Sequence, residues 1–115
     1  MSPTSFDPAD LLATTDGDRE FLKETLEMLR EDVPSHLREI RAAISAQDSA
    51  GIQNTAHTMK SMLGNFCAVP ACEAARALEL AGKANDWKRC AADSARLQQE
   101  VERLLLDLDE FLSEP

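Results

Sequence analysis

The sequence predicts an all-α protein, and three observations support this. Residues with high helix propensity, above all Ala, Leu, Glu and Arg, dominate from Asp18 onward. Aromatic residues are only 4% of the 115 residues, which disfavours a sheet. Apolar residues recur at spacings of three and four, the pattern of amphipathic helices. We therefore expect one domain over residues 1–115, an antiparallel up-and-down four-helix bundle with a short additional N-terminal helix.

The first predicted element is this short helix, which begins after Asp7. The Asp7 carboxylate is placed to cap it, and a proline follows at the first helical position. The polar turn at residues 15–18 then ends the helix and supplies the next N-cap, either Asp16 or Asp18.

The second predicted helix is long and carries one apolar stripe. Its members are Leu22, Leu26, Leu29, Val33, Leu37, Ile40 and Ile44. Pro34 interrupts the backbone hydrogen bonding of this stretch, so we expect either one kinked helix or two coaxial pieces.

Three further helices follow in the pattern. A polar cap at residues 47–49 starts one that ends near Cys67 or Ala68, Pro70 lies in the first turn of the next, and Asn85 or Asp86 caps the last. Their apolar positions are Ile52, Ala56, Met59, Leu63 and Phe66, then Cys72, Ala75, Leu78 and Leu80, then Ala91, Ser94, Leu97, Val101, Leu104, Leu105, Leu108 and Phe111. The short connections favour antiparallel neighbours.

Charge and cysteine content exclude several classes of function. Twelve basic against 21 acidic residues give a net charge of −9, which argues against nucleic acid as a partner and against self-association, so we expect a monomer. Cys67, Cys72 and Cys90 form no CxxC pair, and we expect small buried apolar residues in a reducing compartment. No apolar run reaches the roughly 20 residues of a membrane span. The expected location is the cytoplasm, without membrane association.

The third predicted helix carries a polar face that the core does not need. At about 100° per residue, its apolar set lies on average roughly 145° from His57, so the imidazole is expected to face water. Five other residues of interest share or border this face: Gln53, Asn54, Lys60, Ser61 and Gly64. A glycine inside a helix costs about 1 kcal/mol relative to alanine, so Gly64 suggests that another surface approaches there.

The string from Ala56 to Ala68 resembles the signature of histidine-containing phosphotransfer (HPt) domains, approximately A-H-x-L-K-G-x-x-x-N-[LIF]-G-A. Here it reads AHTMKSMLGNFCA. His57 matches the phosphorylated position and Lys60 the lysine that follows it, while Asn65 matches a downstream element. Two positions depart from the pattern, because Ser61 and Cys67 stand where the family usually has glycine. Ser61 is still small, whereas Cys67 would be strained if the turn needs a left-handed backbone.

The resemblance implies a four-helix bundle that accepts a phosphoryl group on His57 from a receiver-domain aspartate and passes it to another receiver. The implied partners are response-regulator receiver domains, with a hybrid sensor histidine kinase as a further candidate. Lys60 would stabilise the added charge, and Ser61, Gln53 and Asn54 could contact the phosphoryl group. Imidazole, with a reference pKa of about 6.5, is largely unprotonated at neutral pH and suits this role.

The chain would carry no cofactor of its own, since the Mg²⁺ needed for transfer would come with the receiver. It also lacks a glycine-rich nucleotide loop, so we expect a phosphocarrier without kinase activity. Gly64 would leave room for a docking receiver, and docking would also need apolar surface near His57, which Leu11, Leu12 and Phe21 could supply. These apolar residues could equally cap the core.

Two other functions remain open from the sequence. A metal-carboxylate or haem bundle would need ligand pairs that are missing, since His36 is the only other histidine and reads as a boundary residue. An adaptor that keeps the fold and binds a receiver or another signalling partner, without carrying phosphate, gains weight from Ser61 and Cys67.

Overall fold

The computed structural model describes residues 5–113, and over that range all of its regular secondary structure is helical. The predicted domain limits at residues 1–4 and 114–115 lie outside the described part. Five helices follow one another: α1 (Pro8–Thr14), α2 (Arg19–Ser45), α3 (Ser49–Gly64), α4 (Val69–Lys83) and α5 (Trp87–Ser113). The predicted all-α class and the short N-terminal helix are confirmed.

Aspartate side chains start four of the five helices by accepting a hydrogen bond from the backbone N–H three residues on. Asp7 caps α1 and Asp18, not Asp16, caps α2. Asp48 caps α3, and Asp86 accepts from the Arg89 N–H at the start of α5. Only α4 lacks a side-chain cap within the described residues, and a proline in its first turn helps to set its start instead.

α2 continues through Pro34 as one helix of 27 residues, so the expected alternative of two coaxial pieces is wrong. A proline inside a helix removes one backbone hydrogen bond. The helix persists because Leu29 and Val33 before the proline and Leu37 after it are all buried in the same core.

The four long helices form a closed ring in which α2 packs on α3, α3 on α4, α4 on α5, and α5 back on α2. The apolar stripes meet at its centre, as expected of an up-and-down bundle. Two expected core positions are wrong: Leu80 and Ala91 are exposed, and the adjacent Ala81 and Cys90 are buried in their place. Four others are only partly buried against the core: Ile44, Cys72, Leu105 and Phe111.

α1 lies over one end of the bundle and is held there by contacts to two other elements. The Phe6 ring meets the Phe111 ring of α5 edge-on, with centroids 5.4 Å apart. The Asp7 N–H donates to the Cys67 carbonyl after α3. Leu11 is fully buried, so its side chain belongs to the core and offers no docking surface, which corrects that expectation.

Of the helices described in residues 5–113, none combines the length and apolar character that a bilayer crossing requires.

Candidate functional site

α3 presents His57 to solvent because its apolar residues all fall on the opposite face. Ile52, Ala56, Met59 and Leu63 are fully buried, whereas the His57 side chain retains 61% of its accessible surface. The expected exposure of the imidazole is confirmed. α3 spans Ser49–Gly64, so His57 lies in the middle of a regular helix, where backbone hydrogen bonding holds its position.

A carboxylate from the neighbouring helix contacts both His57 and Lys60. Glu79 on α4 places its Oε2 3.2 Å from His57 Nδ1, and its Oε1 accepts a hydrogen bond from Lys60 Nζ at 3.0 Å. Since an ionised carboxylate can only accept, the Nδ1 of neutral His57 carries the proton and donates. The lone pair is then on Nε2, which leaves that nitrogen unprotonated.

Glu79 is held in its ionised form. Partial burial disfavours the charge, but the hydrogen bond and positive charge of Lys60, with smaller contributions from His57, outweigh it, so the pKa of Glu79 lies below its ordinary value. The side chains of Glu79 and Lys60 retain 26% and 33% of their accessible surface, so solvent only partly screens the pair.

Sequence reasoning missed Glu79, and one signal could have found it. In an antiparallel hairpin, residues at similar distances from the turn lie side by side. His57 lies ten residues before Cys67 and Glu79 twelve after it. A search of α4 for polar residues at that distance from the turn would have returned Glu79.

Close approach between α3 and α4 brings Glu79 within reach of His57. A Cβ atom added to Gly82 would lie 2.7 Å from Ile52 Cγ2, so the missing side chain is what permits this spacing. Ser49 Oγ also donates to the Gly82 carbonyl at 2.6 Å. The Gly82 contacts lie about one turn after Glu79 on α4, so they fix the position of Glu79 along the axis of α3.

The other predicted polar residues do not converge on the imidazole. Gln53 Nε2 donates to Ser49 Oγ at 3.1 Å, so it supports the α3–α4 contact. Asn54 and Ser61 are exposed on α3, as is Gly64, where an added Cβ would meet nothing within 4 Å. Among residues 5–113, therefore, no neighbour packs where a side chain at Gly64 would lie.

The turn between α3 and α4 uses a strained residue. Cys67 has φ 54°, in the left-handed region, where a side chain costs on the order of 1 kcal/mol. Its backbone N–H still donates to the Gly64 carbonyl. The strain expected for a non-glycine residue at this position is present.

Two of the three cysteines are only partly buried, which corrects the expectation for Cys67 and Cys72, whereas Cys90 is fully buried. Burial, with a smaller contribution from Cys67, raises the pKa of the Cys72 thiol, and burial with the charges of Asp86 and Asp93 raises the pKa of Cys90. Both thiols are poor nucleophiles at neutral pH.

Among the predicted docking residues, Phe21 retains 53% of its surface and Leu12 is partly buried against the core. Phe21 is available to a partner. The second histidine, His36, lies 3.5 Å from Glu39 and has a mostly buried ring. Within residues 5–113, no three His, Cys, Asp or Glu side chains cluster as metal ligands would.

The comparisons agree with this architecture. The sequence matches the family model of the Hpt domain over residues 24–107. The fold is similar to the crystal structure of histidine-containing phosphotransfer protein B from Pseudomonas aeruginosa PAO1, with a TM-score of 0.87 and 21% identity over 96% of each chain. A search of curated proteins finds no match. The family match covers more than half of the chain, which therefore belongs to the Hpt family of histidine-containing phosphotransfer domains.

Proposed function

We propose that the chain is a phosphorelay intermediate that accepts a phosphoryl group on Nε2 of His57 from a receiver-domain aspartyl phosphate and passes it to another receiver. The observation that carries the proposal is the setting of this imidazole: its side chain is 61% exposed on α3, and Nδ1 is engaged by Glu79, which leaves Nε2 to react. The family match supports the class of reaction, and the geometry supports the choice of His57 over His36.

The transfer is a displacement at phosphorus. The Nε2 lone pair forms the N–P bond as the bond between phosphorus and the aspartyl oxygen breaks, and the leaving electron pair stays on the aspartate. Nδ1 keeps its proton throughout, and the positive charge that develops on the ring is stabilised by Glu79. The same steps run in reverse towards the next receiver.

Lys60 supplies the nearby positive charge. It lies three residues after His57, close to one turn along α3, and both side chains contact Glu79. We assign it electrostatic stabilisation of the phosphoryl oxygens, with Ser61 and Asn54 as exposed hydrogen-bonding neighbours. Gln53 we assign to the Ser49 contact.

The remaining elements are expected on the partner. The Mg²⁺ required for transfer would be held by the receiver, and the chain itself would act as a carrier without kinase activity, in the cytoplasm. Phe21 and Leu12 would give the receiver apolar contacts, and the open position at Gly64 would let its backbone approach α3.

The test incubates the full chain with a panel of receiver domains phosphorylated by acetyl phosphate, in the presence of Mg²⁺. We expect label on the chain that is acid-labile and alkali-stable, and its loss in His57→Gln. His36→Gln is the matched control, since it removes the other imidazole, and it should keep the label. Binding of receivers without any such label would favour the adaptor alternative and refute the relay.

A further inference from the structure

One feature of the site goes beyond phosphate acceptance: the cation intended for the phosphoryl group already has an anionic partner. Lys60 Nζ donates to Glu79 Oε1 at 3.0 Å in the unphosphorylated protein. The same carboxylate contacts His57 through its other oxygen at 3.2 Å. One ammonium group therefore lies between a carboxylate and the position where a phosphoryl group would arrive.

The geometry of imidazole prevents Lys60 from serving both anions equally well. Nδ1 and Nε2 point away from each other across the ring. Because Nδ1 faces Glu79, a phosphoryl group on Nε2 lies on the side of the ring turned away from Glu79. To reach the phosphoryl oxygens, the flexible lysine side chain must lengthen or break its bond to Oε1.

We infer that phosphorylation of His57 draws Lys60 from Glu79 to the phosphoryl group, so that Glu79 competes for this cation and keeps the phosphorylated form less stable than Lys60 alone would make it. This inference rests on the proposed function. Glu79 thereby keeps the phosphoryl group transferable to the next receiver. It acts through Lys60, as a positioning residue.

The effect of the Glu79–Lys60 ion pair on the transfer equilibrium can be estimated in direction and magnitude. Partly exposed ion pairs stabilise proteins by an amount equivalent to roughly a 1.5- to 5-fold change in an equilibrium constant. Loss of the Glu79 charge should free Lys60, so that the contribution of Lys60 to the stability of the phosphorylated chain increases by a factor in this range. Gln is the appropriate replacement, because its carbonyl oxygen can still accept from His57 Nδ1.

The test is a double-mutant cycle on the position of the transfer equilibrium. The full chain, Glu79→Gln, Lys60→Met and the double variant are each equilibrated with Mg²⁺ and the receiver that labels the chain. The label is then quantified on both proteins. The measured quantity is the ratio of label on the chain to label on the receiver. Lys60→Met should lower this ratio in both backgrounds, and the fold decrease should be about 1.5 to 5 times larger in Glu79→Gln than in wild type.

Two measurements separate competition from structural damage. Long-range proton–nitrogen NMR spectra should show the same His57 tautomer, with the proton on Nδ1, in wild type and Glu79→Gln. Glu39→Gln, which removes a carboxylate 3.5 Å from the other histidine, is the matched control and should leave the equilibrium unchanged. An equal effect of Lys60→Met in both backgrounds would refute the competition while leaving the relay intact. No label on His57 in any variant would refute the relay itself.

Discussion

The close approach of α3 and α4 at Gly82 offers a direct test of what sets the spacing of these two helices at the site. In Gly82→Ala, the new Cβ would lie 2.7 Å from Ile52 Cγ2 and 3.1 Å from Ile52 Cβ, where ordinary contacts between carbon atoms are about 3.5–4.0 Å. Ile52 is fully buried. The methyl group can be accommodated only if the Ile52 side chain or the two helices shift.

The expected cost follows from two opposing contributions. Overpacking a core contact typically destabilises a protein by about 1–3 kcal/mol. Alanine regains up to about 1 kcal/mol of helix propensity, and less near the end of a helix such as α4. Gly82→Ala should therefore be destabilised by roughly 1–2 kcal/mol, which lowers the Tm by roughly 3–10 °C for a chain of this size.

Urea unfolding followed by circular dichroism measures this change, and Gly64→Ala is the matched control. A Cβ at Gly64 meets nothing within 4 Å, so this variant should be as stable as wild type or up to about 1 kcal/mol more stable. If Gly82→Ala were as stable as Gly64→Ala, the close contact would not determine the α3–α4 spacing, and the reasoning would be wrong.

Three other substitutions test separate features. Lys60→Ala should slow phosphoryl transfer about tenfold without abolishing it, because the role proposed for Lys60 is to stabilise charge without forming a bond. The time course of label transfer measures this. Complete loss in a folded variant would contradict that role. Cys67→Gly should raise the free energy of unfolding by up to about 1 kcal/mol by relieving the positive φ, and by more than Asn85→Gly, because asparagine tolerates its φ of 55° better. Glu79→Gln should lose less than about 1 kcal/mol at pH 7. Because the pKa of Glu79 is lowered in the folded state, its contribution is present above the unfolded pKa and disappears as pH falls through the folded pKa, below about 4.5. Urea unfolding at several pH values measures this, and a deficit that persisted well below that range would point to a packing cause.

The helices could be predicted because each depends on local signals. Apolar residues at helical spacing and aspartates placed to cap three of the predicted starts are properties of short stretches of sequence. The errors occurred where neighbouring residues compete for one position in the core. At Leu80 and Ala91 the sequence offered two apolar candidates in adjacent registers, and only the packing of the neighbouring helix decides which one is buried.

Only the part of the candidate site that lies on a single helix was predictable from the sequence. His57 and Lys60 lie on one helix, so the helical repeat and the family signature suffice to place them together. Their contact with Glu79 depends on how far α4 is displaced along α3. That displacement is set by the Cys67 turn and by the Gly82 contact with Ile52, and neither is visible from a single helix.

The open setting of the imidazole decides how long a signal can last. The His57 side chain retains 61% of its accessible surface, so a phosphoryl group on this ring would be exposed to water and not enclosed by protein. Between partners, its lifetime would then follow the intrinsic hydrolysis of the N–P bond. A receiver that docks would supply the missing enclosure, so shielding and onward transfer would begin in the same encounter.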